Sequence, residues 1–232
     1  AFRALYDTRS EIPSLDRALV REYPGWTQGV PDVAKVEVVL DHLAEWERAK
    51  AMPNLVFVLL PSDHTEGTSA KWCTPKACVA DNDLALGRLV EGLSRSSFWS
   101  SMAVLVVEDD AQNGPDHVDA HRTTAYVAGG YVKRNFIDHT MYSTSSMLRT
   151  IELFLGLEPM SQFDAAALPM IRSFAKAPVV EPYECRPAAV PLDERNVAGA
   201  WGAEASLAMD FSVEDAADDL LLNDIVWRSV RG

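Results

Sequence analysis

The segment Glu108 to Arg122, EDDAQNGPDHVDAHR, sets five acidic residues and two histidines in fifteen positions directly behind the apolar run MAVLVV. A second polar stretch, SDHTEG at 62–67, follows the apolar run LVFVLL in the same way. Carboxylates mixed with neutral imidazoles suit zinc, manganese or iron, whereas all-oxygen sets favour calcium or magnesium. A calcium loop of the EF-hand type can be tested directly. Counting from Asp109, Asn113 and Gly114 fit the fifth and sixth positions, but Ala111 and Ala120 stand where oxygen ligands are required. The EF-hand fails. His117 and His121 are four apart, as on one face of a metal-binding helix, yet Asn113-Gly114-Pro115 before them is turn chemistry. Single Asp and His residues at strand ends are ordinarily caps and turn formers, so the case for a site rests on two such clusters together.

Other chemistries lack their signatures. DLALGRL and GGYVKR do not make a phosphate-cradling P-loop, and no GxSxG nucleophile elbow occurs. Ser145 and Ser146 open a helix, where a capping role is the default reading.

The elements that must position these residues follow from periodicity. Ala34 to Ala51 spaces Val36, Val39, Leu40, Leu43 and Trp46 for an amphipathic helix with charged residues on its other faces, His42 among the boundary side chains. Leu55 to Leu60 is short, wholly apolar and stopped by Pro61, which predicts a central strand covered on both faces. Val79 to Ser94 reads as a helix capped by Asp81 or Asn82, 102–107 as a second buried strand, and 123–130 as a third. Residues 143–157 carry Ser/Thr at the start and Gly156 near the stop, a well-marked helix. The order strand, helix, strand, strand, helix predicts an α/β layered fold with a largely parallel sheet and helices on both faces. In such sheets ligands collect outside the carboxyl ends of strands. If the first two strands are neighbours, Asp63 and His64 share a rim with Asp109 and Asp110. The Ala-, Pro- and Glu-rich text to about residue 200 reads as an extended wrap, and 212–230 as a closing helix. The expected division is thus 1–175 for the main body and 176–232 for wrap and terminal helix of the same domain.

Twenty-one basic against 34 acidic residues give a net charge of −13 over 232 residues. That surface repels phosphate backbones, so nucleic-acid binding is not expected. No stretch is long and apolar enough to span a bilayer. Cys73 and Cys78, in CTPKAC, read equally as a small disulfide loop or as free thiols, with Cys185 apart.

The runs NLVFVLLPSDHTEGT, TPKACVADNDLALGRLVEGLSRSSFW, VLVVEDDAQNGPDHVDAHRT and MYSTSSMLRTIELFLGLEPMSQFDAAA together resemble the phosphoesterase family of the alkaline-phosphatase superfamily. That family includes bacterial phospholipases C and acid phosphatases. The resemblance spans about residues 50–170 and is nearest to a branch often found behind a β-propeller in one exported polypeptide. It implies an alkaline-phosphatase-like fold, a divalent metal ion (zinc, manganese or calcium), a phosphate mono- or diester substrate, and a location outside the cytoplasm. On the matching positions it implies Asp109 and Asp110 as metal ligands, with Asp63 and His121 as further candidates. His117 and His64 are implied as catalytic histidines, and Asp116 and Arg122 as substrate contacts. Two departures stand out. Ser143-Thr144 occupies the place where the phospholipase branch has Asp-His. The Glu-Asn-Arg motif and the downstream Ser or Thr nucleophile are not recognisable ahead of NLVFVLL, so the chain is expected to be the C-terminal part of a catalytic domain, holding half a site. A non-catalytic surface-binding domain of the same fold is the competing expectation, and a sulfatase or phosphomutase relative a third.

Overall fold

The structure, a computed structural model, describes residues 2–109, 122–213 and 216–232. It combines α-helices with a small β-sheet. After a helical turn α1 (Pro13–Asp16) come two long helices, α2 (Asp32–Ala49) and α3 (Pro75–Ser94), then strands β1 (Ala103–Val107) and β2 (Ala125–Gly129). The chain continues through α4 (Thr144–Leu155), α5 (Gln162–Ala166), α6 (Ala203–Ala208) and α7 (Asp219–Arg231).

The core forms where α2 and α3 pack. Val36, Val39 and Leu43 of α2 meet Ala85, Leu89 and Leu93 of α3, with Trp99 closing the cluster. A Cβ at Gly92 would run into the Leu40 side-chain tip, so glycine lets the two helices approach with that leucine as it stands. The charged residues of α2 are not all on outer faces: Asp32 and Lys35 are fully buried. His42 sits at the boundary, with Nε2 3.1 Å from Glu22 Oε1.

Helix ends follow local chemistry. Thr74 Oγ1 accepts the Ala77 N–H at 3.3 Å and caps α3, with Pro75 at the first helical position. Asp81 and Asn82 are therefore not caps of that helix. Ser143 caps α4 in a reciprocal box with Ser146, and Gly156 ends it in the left-handed conformation. Cys73 and Cys78 form a disulfide, and Cys185 is free and half-buried.

Strands β1 and β2 pair antiparallel, Ala103 opposite Gly129 and Val107 opposite Ala125. They are the two paired strands among the described residues, and no layered parallel sheet is formed there. The 55–60 run differs most from its sequence reading. It joins no strand; Val58 and Leu60 turn onto the core cluster while Leu55, Phe57 and Leu59 face outward, Phe57 89% exposed. Its apolar content calls for cover on both faces, and the described residues supply only one.

From residue 174 onward the chain runs back over the body without regular structure until α6. Ala175 and Val179 donate N–H bonds to Tyr131 and Gly130 carbonyls, both at 2.7 Å, and Arg195 makes a β-bridge with Cys73. No helix among the described residues is long and apolar enough to cross a membrane.

This packing separates core from surface sharply. Leu89→Ala should cost about 2–5 kcal/mol, whereas Phe57→Lys should shift stability by no more than about 0.5 kcal/mol. Urea denaturation followed by circular dichroism checks both values.

Candidate functional site: the loop after residue 60

Pro61 ends the apolar run, and Ser62–His64 make one tight 3₁₀ turn. Thr65 then takes φ 62°, ψ 174°, a left-handed φ that a β-branched residue adopts only against strain, although it is almost fully buried. Gly67 follows with φ 57°, and a Cβ there would meet Ser206 Oγ at 2.5 Å. The loop is held in an unfavourable shape by its surroundings.

On its inner side the surroundings are the N-terminal turns of α2 and α3. Asp32 Oδ2 accepts the Ser62 N–H at 2.8 Å. Asp81 Oδ2 accepts both the Asp32 N–H at 2.6 Å and the Ser62 hydroxyl at 2.9 Å. Asn82 Nδ2 donates toward Leu60 O at 2.7 Å, Asp63 Oδ1 at 3.1 Å and Asp32 Oδ2 at 3.2 Å. Asp81 thus satisfies an orphan N–H of α2, the neighbouring helix, rather than of its own. The Lys35 ammonium lies 3.2 Å from Asp32 Oδ1 and donates to Thr27 O at 2.9 Å. Burial pushes the Asp32 carboxyl up and the Lys35 ammonium down, and their attraction opposes both shifts.

On its outer side the loop is strapped by the returning tail. The Asn196 amide reaches the carbonyls of Gly67, Ser69 and Cys73 at 3.0–3.2 Å. Ser206 Oγ accepts the Thr68 N–H at 3.0 Å, and the Thr68 hydroxyl donates to Trp201 O at 2.7 Å.

His64 has a defined tautomer. Its Nδ1 lies 3.0 Å from Thr65 O, and because a carbonyl can only accept, Nδ1 is the donor; in the neutral ring Nε2 is then the nitrogen with the lone pair. The ring is met edge-on by Trp26 at 5.0 Å and by Phe211 at 6.0 Å. Glu66, two residues on, has its carboxyl pushed up to about 7 by burial.

The other candidates stand as follows. Asp63 and His64 lie side by side on this loop, half-buried. Asp109 and Arg122 are exposed, flanking β1 and β2. Asp110, Asp116, His117 and His121 lie outside the described residues. Among the described residues no three His, Cys, Asp or Glu side chains come together as a metal-binding group. Asp63 and the His64 Nε2 are one oxygen and one nitrogen donor of the kinds a zinc or manganese ion takes, so they fit part of such a site and do not complete it. At the start of α4, Ser143 and Ser145 line a shallow depression of about 550 Å³ with Gln162, Phe163, Ala166 and Ala167. Asp32, Asp81, Asn82 and Glu66 are the residues that pattern reading did not place at the site. Glu66 lies inside the polar stretch SDHTEG; for the other three the only sequence signal is that polar side chains recur in the early turns of α2 and α3.

Comparison with known proteins gives no match to a family profile, a curated protein or a solved structure.

Glu66 generates a pH signature. A carboxyl raised in the folded state stabilises below its unfolded pKa and loses that contribution as pH climbs through the folded value. Wild type and Glu66→Gln should melt at similar temperatures near pH 4.5 and diverge up to about pH 7, with Glu66→Gln melting higher at pH 8. Thermal melts across this range check the sign.

Proposed function

We propose that this chain is part of a metal-dependent phosphoesterase that hydrolyses phosphate mono- or diesters, with Asp109 and Asp110 as the principal metal ligands. The observation that carries the reading is the 61–67 loop. An Asp-His pair sits at the end of an apolar run, on a strained backbone pinned from both sides, with the histidine's Nδ1 held by the Thr65 carbonyl. Strain held in place by surrounding contacts is characteristic of functional loops. A bound divalent ion would lower the pKa of an attacking hydroxyl and offset charge on the phosphate oxygens.

The chain's own groups have distinct tasks in this reading. The His64 Nε2 accepts a proton from an attacking hydroxyl or, once protonated, gives it to a leaving alkoxide. Its Nδ1–H bond to Thr65 O fixes the tautomer, so the ring does not need to reorient first. Asp63 offers an oxygen donor beside it, and His121 a nitrogen. His117 is a second candidate for proton transfer, and Arg122 and Asp116 for contacts with the phosphate ester.

The finer fold is part of the same proposal. Residues 55–60 are a strand of a layered, largely parallel sheet completed by further polypeptide, which would cover Leu55, Phe57 and Leu59. The exposure of these three side chains supports it, as does the lack of any backbone-to-backbone bond from the 55–60 amides among the described residues. The Cys73–Cys78 disulfide supports a location outside the cytoplasm. A β-propeller in the same polypeptide stays a proposal carried by the resemblance alone.

One observation favours the non-catalytic alternative. At Ser143-Thr144, where the phospholipase branch has Asp-His, the Ser143 side chain is engaged in capping α4 in a box with Ser146.

Hydrolysis of p-nitrophenyl phosphate and of bis(p-nitrophenyl) phosphate, each with added zinc, manganese or calcium, decides between the two readings. Asp109→Ala and Asp110→Ala should abolish hydrolysis, and His64→Ala should lower the rate by about 10²–10⁴-fold. Full activity in both Asp variants would sink the phosphoesterase reading.

A further inference from the structure

We infer that Asn82 is the positioning residue for the Asp63 carboxylate, with Asp32 and Asp81 as its backing. The inference rests on the phosphoesterase reading above, in which Asp63 is a candidate metal ligand.

The argument starts from donor counting. The Asn82 amide nitrogen has two N–H groups and three oxygens within 3.2 Å, those of Leu60, Asp63 and Asp32. With two N–H groups for three oxygens, one hydrogen is shared, and turning the amide away would cost Leu60 O and Asp63 Oδ1 this donor. Two of these oxygens belong to the turn itself and the third to its buried anchor. Asn82 therefore fixes the carboxylate of Asp63 relative to the backbone at Leu60 and to the start of α2. It does so from the third turn of a twenty-residue helix, a rigid platform.

The charge balance explains why an amide stands here. Asp32, Asp63 and Asp81 all act on Lys35, and Lys35 is the one cation of this buried group, bonded to Asp32 and Thr27. A fourth carboxylate would be repelled by the other three, and a second ammonium would pair with Asp63 and take it out of use as a ligand. A neutral donor orients Asp63 through Oδ1 while its negative charge stays available. Oδ2 has no hydrogen-bond partner among the described residues. Holding one oxygen of a ligating carboxylate from behind is how outer partners aim metal ligands, and removing such a partner lowers metal affinity by about 10–100-fold.

The backing is equally specific. Asp81 and Asp32 are almost fully buried. They hold the Ser62 N–H and hydroxyl, so the residue before Asp63 is fixed from main chain and side chain together.

Asn82→Asp is nearly isosteric and loses the donors; Asn82→Ala loses them without adding charge, and decides the matter if the first variant does not fold. Manganese binding followed by electron paramagnetic resonance, amide hydrogen exchange at Ser62–His64, and circular dichroism melts should be measured on wild type and both variants. The expected result is native circular dichroism, faster exchange across the turn and manganese affinity lowered at least about tenfold. Folded variants that bind manganese within twofold of wild type would overturn the positioning role alone. A wild type that binds no manganese would overturn Asp63 as a metal ligand and this inference with it.

Discussion

The Asp32 carboxylate, fully buried beside an equally buried Lys35 at the start of α2, holds the Ser62 N–H on one oxygen and the lysine on the other. Most of the candidate site depends on that arrangement. Strand-end loops are ordinarily placed by the sheet ladder that precedes them. Here the run before the loop has no ladder among the described residues, so side chains place it instead. Tyr23 donates to Leu59 O, Asn82 to Leu60 O and Gln28 to Pro61 O, while Asp32 accepts from Ser62. These bonds reach from the N-terminal region, α2 and α3 to four consecutive residues. The loop's register is thereby set by helix packing.

Such an anchor is costly to bury and costly to break. Two charges taken out of water regain their hydration only through good geometry and additional hydrogen bonds. Lys35 obtains the Thr27 carbonyl and Asp32 the Ser62 and Asn82 N–H groups. Loss of either ion alone would leave the other uncompensated, at on the order of 3–5 kcal/mol. An apolar replacement of the pair would avoid that cost, yet it would give no acceptor to Ser62 and no restraint on the turn. The pair therefore makes sense as a device of position more than of stability. The same holds for Asp81, which links α2, α3 and the turn through one oxygen.

Where a feature depends on near neighbours, the sequence was a sufficient guide. The α4 cap at Ser143 and stop at Gly156, the apolar face of α2 and the strands at 103–107 and 125–129 all follow from spacing within a few residues. Asp63 and His64 were also legible as a polar pair after an apolar run. Features that depend on distant partners were not. Lys35 reads as a surface lysine because periodicity sorts residues by face, and nothing in α2 announces that Asp32 and Thr27 will enclose it. Asp81 and Asn82 carry the chemistry of caps, and Asp81 does cap a helix end, but that of α2, 49 residues away. For 55–60 the strand that apolar content predicts does not form among the described residues, because content carries no information about a pairing partner. The positive φ of Thr65 has no local signal at all, since a β-branched residue is a poor choice for that conformation.

That last residue shows how the two sides of the loop work together. A left-handed Thr costs on the order of 1–3 kcal/mol, which neither the inner nor the outer contacts would necessarily offset alone. The inner set fixes Leu60 to Asp63, and the outer set, from Asn196, Ser206 and Trp201, fixes Gly67 to Cys73. Thr65 lies between two anchored stretches whose ends leave it no relaxed path. Its carbonyl is the group that holds the His64 Nδ1–H. The strain is thus coupled to the histidine's orientation: relaxing Thr65 would move the acceptor that holds Nδ1–H. Because Asn196, Ser206 and Phe211 all belong to the returning tail, the state of His64 depends on the C-terminal strap as much as on the helices beneath it.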